Sequence, residues 1–485
     1  MSIGEHPPHT MEGLLAENAE LRRENAELRA RVASLEATVE KLLAKIAELE
    51  ARLDQNSSNS SKPPSSDGPT VKLPPKKAPT GRKPGGQRGH KGTYRALLPV
   101  EKVDEVVEQW PHKCEGCKAT LPTHLRAEVG EAIRHQVTEI PQVKAHVTEY
   151  RLRAQYCERG CTTRAELPAG VGPSSFGVRL QAVLTLFTGC YHVSRRATVG
   201  ALSELFGVEL SLGSVSACER GMSEALAQPF EEAHAHVMDQ KVVHADETGW
   251  RERRARAWLW VAATALVTVF KIHQKRGRVA AKVLLGHFAG ILVSDRWGAY
   301  ADWCLDRRQL CWAHLKRDFT FISEHKGATG RIGEKLLAIE KRVFELWHRV
   351  RDGTLQRSTF RKYLSPLKGD IDTLLSQGLA CDQSKVAGMC REMLAVQSAF
   401  WTFARLEGVE PTNNHAERSI RPAVLWRKGS YGTHSEGGSR YAERMMSVVS
   451  TLKQQQRGVL DFLVDAGHAA HGNGTTPSLL PRAAA

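Results

Sequence analysis

Along residues 11 to 53 apolar side chains return every seven positions. Leu14, Leu21, Leu28, Leu35, Leu42 and Leu49 form one row, and Asn18, Asn25, Val32, Val39, Ile46 and Leu53 follow four residues after each. Leu at d with β-branched residues or Asn at a is the seam of a parallel two-stranded coiled coil. The g-to-e′ pairs Glu17–Arg22, Glu24–Arg29, Arg31–Glu36 and Lys45–Glu50 attract in a parallel homodimer, and only Thr38–Leu43 is neutral. The pattern predicts a leucine-zipper coiled coil over 11–54 and a chain that is at least a homodimer. A solitary solvated helix would have no need of the seam.

The periodicity then stops. Residues 55–95 are Ser-, Pro- and Gly-rich, and between Lys62 and Arg95 nine Lys/Arg stand against one Asp. Such a stretch has too little apolar surface to bury a core and reads as a flexible linker. Arg82, Lys83, Arg88 and Lys91 suit loose phosphate or minor-groove contact, although basicity for solubility alone explains them too. The basic stretch follows the zipper, whereas a basic-region zipper protein places it before, in one continuous helix; that class is excluded.

Residues 96–165 alternate in short segments such as HQVTEI and HVTEYRLRAQY, bracketed by Cys114-x2-Cys117 and Cys157-x3-Cys161. Two thiol knuckles joined by β structure can set four sulfurs around one structural Zn²⁺, so a zinc-ribbon-like module is expected; free thiols are the other reading. Residues 175–240 read as helical. A turn near Gly207, with a second helix from about Ser211, fits a helix-turn-helix, although such pairs are equally common as packing units.

From Lys241 the pattern is α/β. KVVHAD reads as a strand ending in Asp246, RAWLWVAAT and LVTVFKIH as two more strands, RGRVAAKVLLGHF as a helix and GILVSD as a buried strand ending in Asp295. Three strands, a helix and a fourth strand open a ribonuclease-H-like fold, which brings Asp246 and Asp295 to one sheet end. Paired carboxylates repel unless a cation neutralises them, and oxygen-rich pairs of this kind hold Mg²⁺. Either Asp alone could be a turn former. Glu417 sits among Arg418, Arg421, Arg427 and Lys428; a salt-bridge cluster explains that, and so does a carboxylate on metal with cations on phosphates. Cys311 and His314 (C-x2-H) could touch a metal, but helix packing or a phosphate contact weighs more. Arg317, Asn413 and Asn414 could orient DNA or the Glu helix, and Asp302 and Asp318 are substitute acids. The catalytic domain is expected over 241–465, with a disordered tail at 466–485.

Composition narrows the partners. With 68 Lys+Arg against 53 Asp+Glu the net charge is +15, and a chain this basic usually meets a polyanion. The longest apolar stretch, Ala257–Phe270, carries two Thr and falls short of the roughly 20 residues a bilayer needs. No membrane partner and no secretory leader are expected, and the ten Cys point to reduced thiols or metal ligands in a cytoplasmic, nucleoid-associated setting.

Together these residues carry a resemblance. The zipper, QNSSNSSKPPSSD, GRKPGGQRGHKG, the Cys pairs, HADETGWR, SDRWGAY, CWAHLKRDF, NNHAERSIRP with RKGSYGTHSEGGSR, and QQQRGVLDFL resemble the insertion-sequence sixty-six family transposases (TnpC-type) along nearly the full length. The resemblance implies a DDE-type catalytic domain with Asp246, Asp295 and Glu417 as its acids. It also implies a helical insertion, at about 326–410, filling the 122 residues (417 − 295) before the Glu, and small accessory proteins as partners. The x3 knuckle departs from the commonest spacing. The expected activity is cleavage at the ends of a mobile DNA element and strand transfer into target DNA, with two Mg²⁺ (or Mn²⁺). A ribonuclease-H-like structure-selective nuclease or resolvase, or an inactive DNA-binding regulator, are the competing classes.

Overall fold

The computed structural model describes residues 11–56, 60–62, 89–92, 95–125 and 130–481. Of these, residues within 74–149 and 201–209 form a small unit and the others the main one. Helix α1 (Met11–Leu53) is continuous, and its d-position leucines are about half exposed in the single chain.

The small unit departs from expectation. HQVTEI forms no strand, and the one hairpin among the described residues of 96–165, antiparallel β1 (Ala154–Tyr156) with β2 (Thr162–Arg164), belongs to the main unit. The alternation is present, but Ile133, Val137, Ile140 and Val147 are each at least 80% exposed. With no sheet face to bury against, alternation alone does not hold a ladder.

Four helices follow: α2 (Val178–Thr185), α3 (Arg195–Phe206), α4 (Leu212–Ala225) and α5 (Ala227–Met238). Gly207 takes the left-handed φ of +64° that ends α3. Ser211 then caps α4, its Oγ accepting from Ser214 N at 3.1 Å. Val215, Cys218 and Met222 bury one face of α4 against α2, α13 and α14. Its outward face carries Gly213, Ala217, Arg220 and Glu224.

A mixed five-stranded sheet forms the centre: β3 (Val242–Glu252), β4 (Ala255–Ala263), β5 (Thr268–His273), then α6 (Arg278–Leu285), β6 (Ile291–Ser294) and β7 (Arg308–Leu310). The order is β5-β4-β3-β6-β7, with β3–β4–β5 antiparallel and β3–β6–β7 parallel. Strand β3 does not end at Asp246 as expected but runs six residues further, because its second half pairs with β4 down to Glu252↔Ala255.

Helices α7 (Trp312–Ser323), α8 (Gly327–Arg351), α9 (Arg357–Leu379), α10 (Ser384–Ala395) and α11 (Thr402–Arg405) pack around a core of their own that includes Trp312, Phe319, Trp347, Phe360 and Phe403. The excursion closes at its base. Gln309 Nε2 donates to Phe400 O at 3.1 Å, Phe403 N donates to Gln309 Oε1 at 2.7 Å, and Trp312 N donates to Pro411 O at 2.9 Å. The chain thus re-enters the sheet domain beside the point where it left.

Helices α12 (Asn414–Ser430), α13 (Glu436–Gln454) and α14 (Val459–Ala470) complete the domain. Helix α13 covers the free edge of β5: the N–H groups of Thr268, Phe270 and Ile272 donate to Thr451 Oγ1, Ser447 Oγ and Glu443 Oε1. Two strand residues advance about 6.6 Å and four helix residues about 6.0 Å, so the three pairs stay nearly in step. A bare edge is closed without a sixth strand. The expected disordered tail is corrected: α14 runs to Ala470, Leu479 is fully buried, and Arg457 donates to Ser478 O at 3.0 Å. Among the described residues no helix is long and apolar enough to cross a membrane.

Candidate active site

Register alone brings two carboxylates together. The last parallel pair of β3 and β6 is His244↔Val293; Asp246 and Asp295 each lie two residues further on. A step of two keeps both on one face, at the point where β6 ends and β3 continues with β4 alone. Burial, reinforced by the charges of Glu247, Asp295 and Glu417, pushes the Asp246 carboxyl well above the usual carboxylate range. Asp295 accepts from Trp297 N at 2.9 Å.

Glu417 arrives on the first turn of α12, which is tied along β3 from end to end. At its start the fully buried Asn413 donates from Nδ2 to Ala245 O at 2.7 Å, with Oδ1 3.2 Å from His244 Nδ1. In its last turn, Arg427 bonds the Gly249 carbonyl and Thr248 Oγ1. Past its end, Gly432 at φ +107° approaches Arg251 so closely that a Cβ would sit 2.2 Å from its carbonyl oxygen, and Thr433 N donates to Arg251 O at 2.9 Å. Burial first, then the charge of Asp295, raises the Glu417 carboxyl, while Arg317 opposes the shift. Asn413→Ala is expected to leave the Ala245 carbonyl unpaired and to lower stability by about 1–3 kcal/mol. Urea unfolding measures that loss.

The second half of the site was missed in the sequence. Glu247, on the strand's opposite face, has a side chain only 1% exposed, accepts from Tyr300 Oη at 2.8 Å and pairs with Arg276 at 3.0 Å. Arg276 stacks on Trp297 at 4.4 Å, and Trp297 Nε1 donates to Arg276 O at 3.2 Å. This network braces the loop that carries Asp295. Beneath it, buried Arg308 donates to the Asp295 carbonyl at 3.2 Å. The doubled acid in HADE was the one available signal.

Other expected residues fall as follows. Arg418, Arg421 and Lys428 are exposed on α12. Arg427 is not free for a ligand, being bonded to β3. Asp318 pairs with Arg296 at 3.1 Å, although burial and the charge of Asp295 raise its carboxyl, and Asp302 pairs with Arg278 and Lys282 at 3.2 and 3.1 Å. Asn414 lines a cleft of about 820 Å³ at the start of β3 with Lys241, His244, Arg351, His415 and Arg418. Lys91 is exposed; Arg82, Lys83 and Arg88 lie outside the described residues. Each Cys pair forms a tight knuckle. Cys114 N donates to Ala119 O and Lys118 N to Cys114 O, both at 2.9 Å, while Cys157 N donates to Cys161 O at 2.9 Å across Gly160 at φ +76°. Backbone N–H groups in the two knuckles lower the thiols of Cys114 and Cys157.

Fold and site define an α/β protein with a partly buried carboxylate cluster at the parting of two parallel strands. Residues 174–441, more than half of the chain, match the Transposase IS66 family, and the chain belongs to that family. Residues 5–96 match a family of unknown function, DUF6444. Two uncharacterized proteins of Sinorhizobium fredii are similar: y4qI, 24% identical over 425 residues covering 80% of this chain and 74% of the relative, and y4hP, 25% identical over 392 residues covering 73% and 69%.

Proposed function

We propose that this transposase-family chain cuts phosphodiesters at the ends of its element and joins the freed 3′-hydroxyl to target DNA, with Asp246, Asp295 and Glu417 as the metal-holding acids of a ribonuclease-H-like domain. The observation that carries this is the meeting of Asp246 and Asp295 at equal distance beyond the His244↔Val293 pair, with Glu417 repelling Asp246 and repelled by Asp295. Three partly buried carboxylates, two of which (Asp246 and Glu417) have their proton affinity raised by their neighbours' charges, are a set whose charge calls for divalent cations. Two Mg²⁺ or Mn²⁺ ions held there would supply that compensation and polarise the phosphodiester. The chain's own groups do the rest. Asn413 and Arg427 hold the Glu helix on β3, the Glu247–Tyr300–Arg276 network holds the Asp295 loop, and Arg418, Arg421 and Lys428 offer one cationic helix face to the phosphate backbone.

The experiment is Mg²⁺-dependent cutting of DNA carrying the element ends by the wild-type and Asp246→Asn chains. Cutting without preference for the ends would favour a structure-selective nuclease, and binding without cutting an inactive regulator; either result overturns the proposal. For the knuckle of the main unit, we propose that Cys157 and Cys161 supply two ligands of a structural zinc. The N–H groups directed at the sulfurs favour thiolates, the ligating form. Replacing Cys157 and Cys161 together by Ser should remove one zinc per chain on metal analysis; unchanged zinc content would refute it.

A further inference from the structure

Where α7 and α12 begin, three ligating atoms of different hardness meet. The Sγ of Cys311, a ring nitrogen of His314 and a carboxylate oxygen of Glu417 all lie within 4.8 Å of one another. His314 Nδ1 is 3.7 Å from Glu417 Oε1, beyond hydrogen-bond reach, and is buried with no hydrogen-bond partner at all. Leaving such a nitrogen unsatisfied is unfavourable, because its desolvation is not repaid by a partner. Cys311 Sγ in turn receives the backbone N–H of Asn413 at 3.1 Å.

We propose that Cys311, His314 and Glu417 bind one divalent transition metal of the zinc class, with a fourth position open. The donor set selects it: thiolate and imidazole favour zinc-class ions over Mg²⁺, whose preference is for oxygen. Tetrahedral bonds of about 2.0–2.3 Å place ligand atoms about 3.3–3.6 Å apart, so the His314–Glu417 pair, at 3.7 Å, closes by a few tenths of an ångström and the other pairs by about 1.5 Å or less. The backbone around them is already pinned. Cys311 N donates to Ser294 O at 2.9 Å, His314 N to Cys311 O at 3.0 Å, Trp312 N to Pro411 O at 2.9 Å and Glu417 N to Asn413 O at 3.2 Å. Burial, with Arg317 adding to it, holds the His314 ring near a pKa of about 4, so its lone pair is free at neutral pH. Burial also pushes the Cys311 thiol up to about 11. Binding therefore forms metal–S, metal–N and metal–O bonds, releases the thiol proton to solvent and involves no electron transfer. The inference rests on the proposed function in one respect: Glu417 serves both sites, so a zinc-class ion here competes with hard ions for its carboxylate.

Cobalt(II) alone, titrated into the full-length metal-free chain, tests the site. Wild type should show thiolate-to-cobalt absorption that zinc reverses, with one more equivalent of tight binding than Cys311→Ser or His314→Gln. Each variant should lose at least about 100-fold in affinity for that equivalent. If Cys311→Ser fails to fold, His314→Gln, at a side chain that is 28% exposed, gives the same readout, and circular dichroism melts report folding for both. Wild-type stoichiometry and spectrum in a folded His314→Gln chain would overturn the site. Because cobalt binding needs no DNA, a chain that binds here but cuts no DNA refutes the proposed function and keeps the site. A chain that cuts DNA without this equivalent does the reverse.

Discussion

Asp246→Asn is expected to lower Mg²⁺-dependent cutting of end-containing DNA by about 10³-fold or more while leaving DNA binding intact. A metal ligand at the reacting phosphate contributes several kcal/mol of charge stabilisation, and about 4 kcal/mol corresponds to about 10³ in rate. The same substitution should stabilise the metal-free protein. Burial, then Glu247, Asp295 and Glu417, raises the folded-state pKa of Asp246 well above its unfolded value. A group shifted this way contributes stability that is fully present below the unfolded pKa and is lost as pH rises through the folded one. Metal-free wild type should therefore lose stability as pH climbs from about 4 toward neutrality. The amide, which has no charge to bury, should flatten that slope and melt higher at pH 7. Mg²⁺ reverses the order. At about 100 times its Kd a ligand adds about 2.7 kcal/mol, and each kcal/mol moves Tm by about 2–4 °C in a domain of this size. Wild type should gain roughly 5–10 °C and the variant far less. Equal gains in both chains would show that Asp246 does not hold the ion, even if cutting were lost.

How much of this was legible in the chain depends on the range of the interaction. The Leu row of α1 and the apolar runs of β4, β5 and β6 are local periodicities and read directly. The meeting of Asp246 with Asp295 was expected from strand order, but its cause, a parallel register that stops at His244↔Val293, involves pairing across some fifty residues. No local pattern encodes that. For the same reason β3 was expected to end at Asp246: its continuation depends on β4 pairing, which compensates for the polar stretch ETG. Arg427 looked like a phosphate ligand because its charge is visible in the sequence and its acceptor, the Gly249 carbonyl, is not. Asn413 was a candidate for orienting the Glu helix, yet its partners are a backbone oxygen and a histidine 168 and 169 residues away. Glu247 was overlooked because adjacent strand residues face opposite sides, so only Asp246 seemed placed to act. The tail read as disordered because PSLLPR is short and Pro-flanked; the groups that pack it, Gln455 and Arg457, lie in the turn between α13 and α14, and their side chains reach the carbonyls of Leu479 and Ser478.

The zipper offers the other large effect. Leu28→Asp with Leu35→Asp is expected to convert the protein from a parallel dimer to a monomer at micromolar concentration. In the single chain Leu28 and Leu35 are 57% and 65% exposed on one stripe of α1, and a second copy of the same helix is the occupant their spacing and the g-to-e′ charges fit. Full burial of a leucine contributes about 1.5–3 kcal/mol, and each double substitution removes four such side chains from the two-stranded seam. The loss of roughly 6–12 kcal/mol is at least about 10⁴-fold in the dimer constant, before the cost of burying four carboxylates. Asn25, whose Nδ2 now donates to Leu21 O at 3.0 Å within its own helix, is expected to turn to its partner across the axis and to favour two strands in register. The sheet domain should be untouched, because Trp250, Trp260 and Phe270 are buried around the sheet independently of α1. A monomeric variant should therefore retain the wild-type melting profile of that domain and cut single ends while losing activity on paired ends. Light scattering decides the first point: an unchanged mass in the variant, or a monomeric wild type, would show that α1 is not what joins two chains. The second point ties assembly to function, since an element has two ends and one chain carries one carboxylate cluster. If paired-end activity survived in a proven monomer, the dimer would have no part in synapsis and the seam would need another explanation.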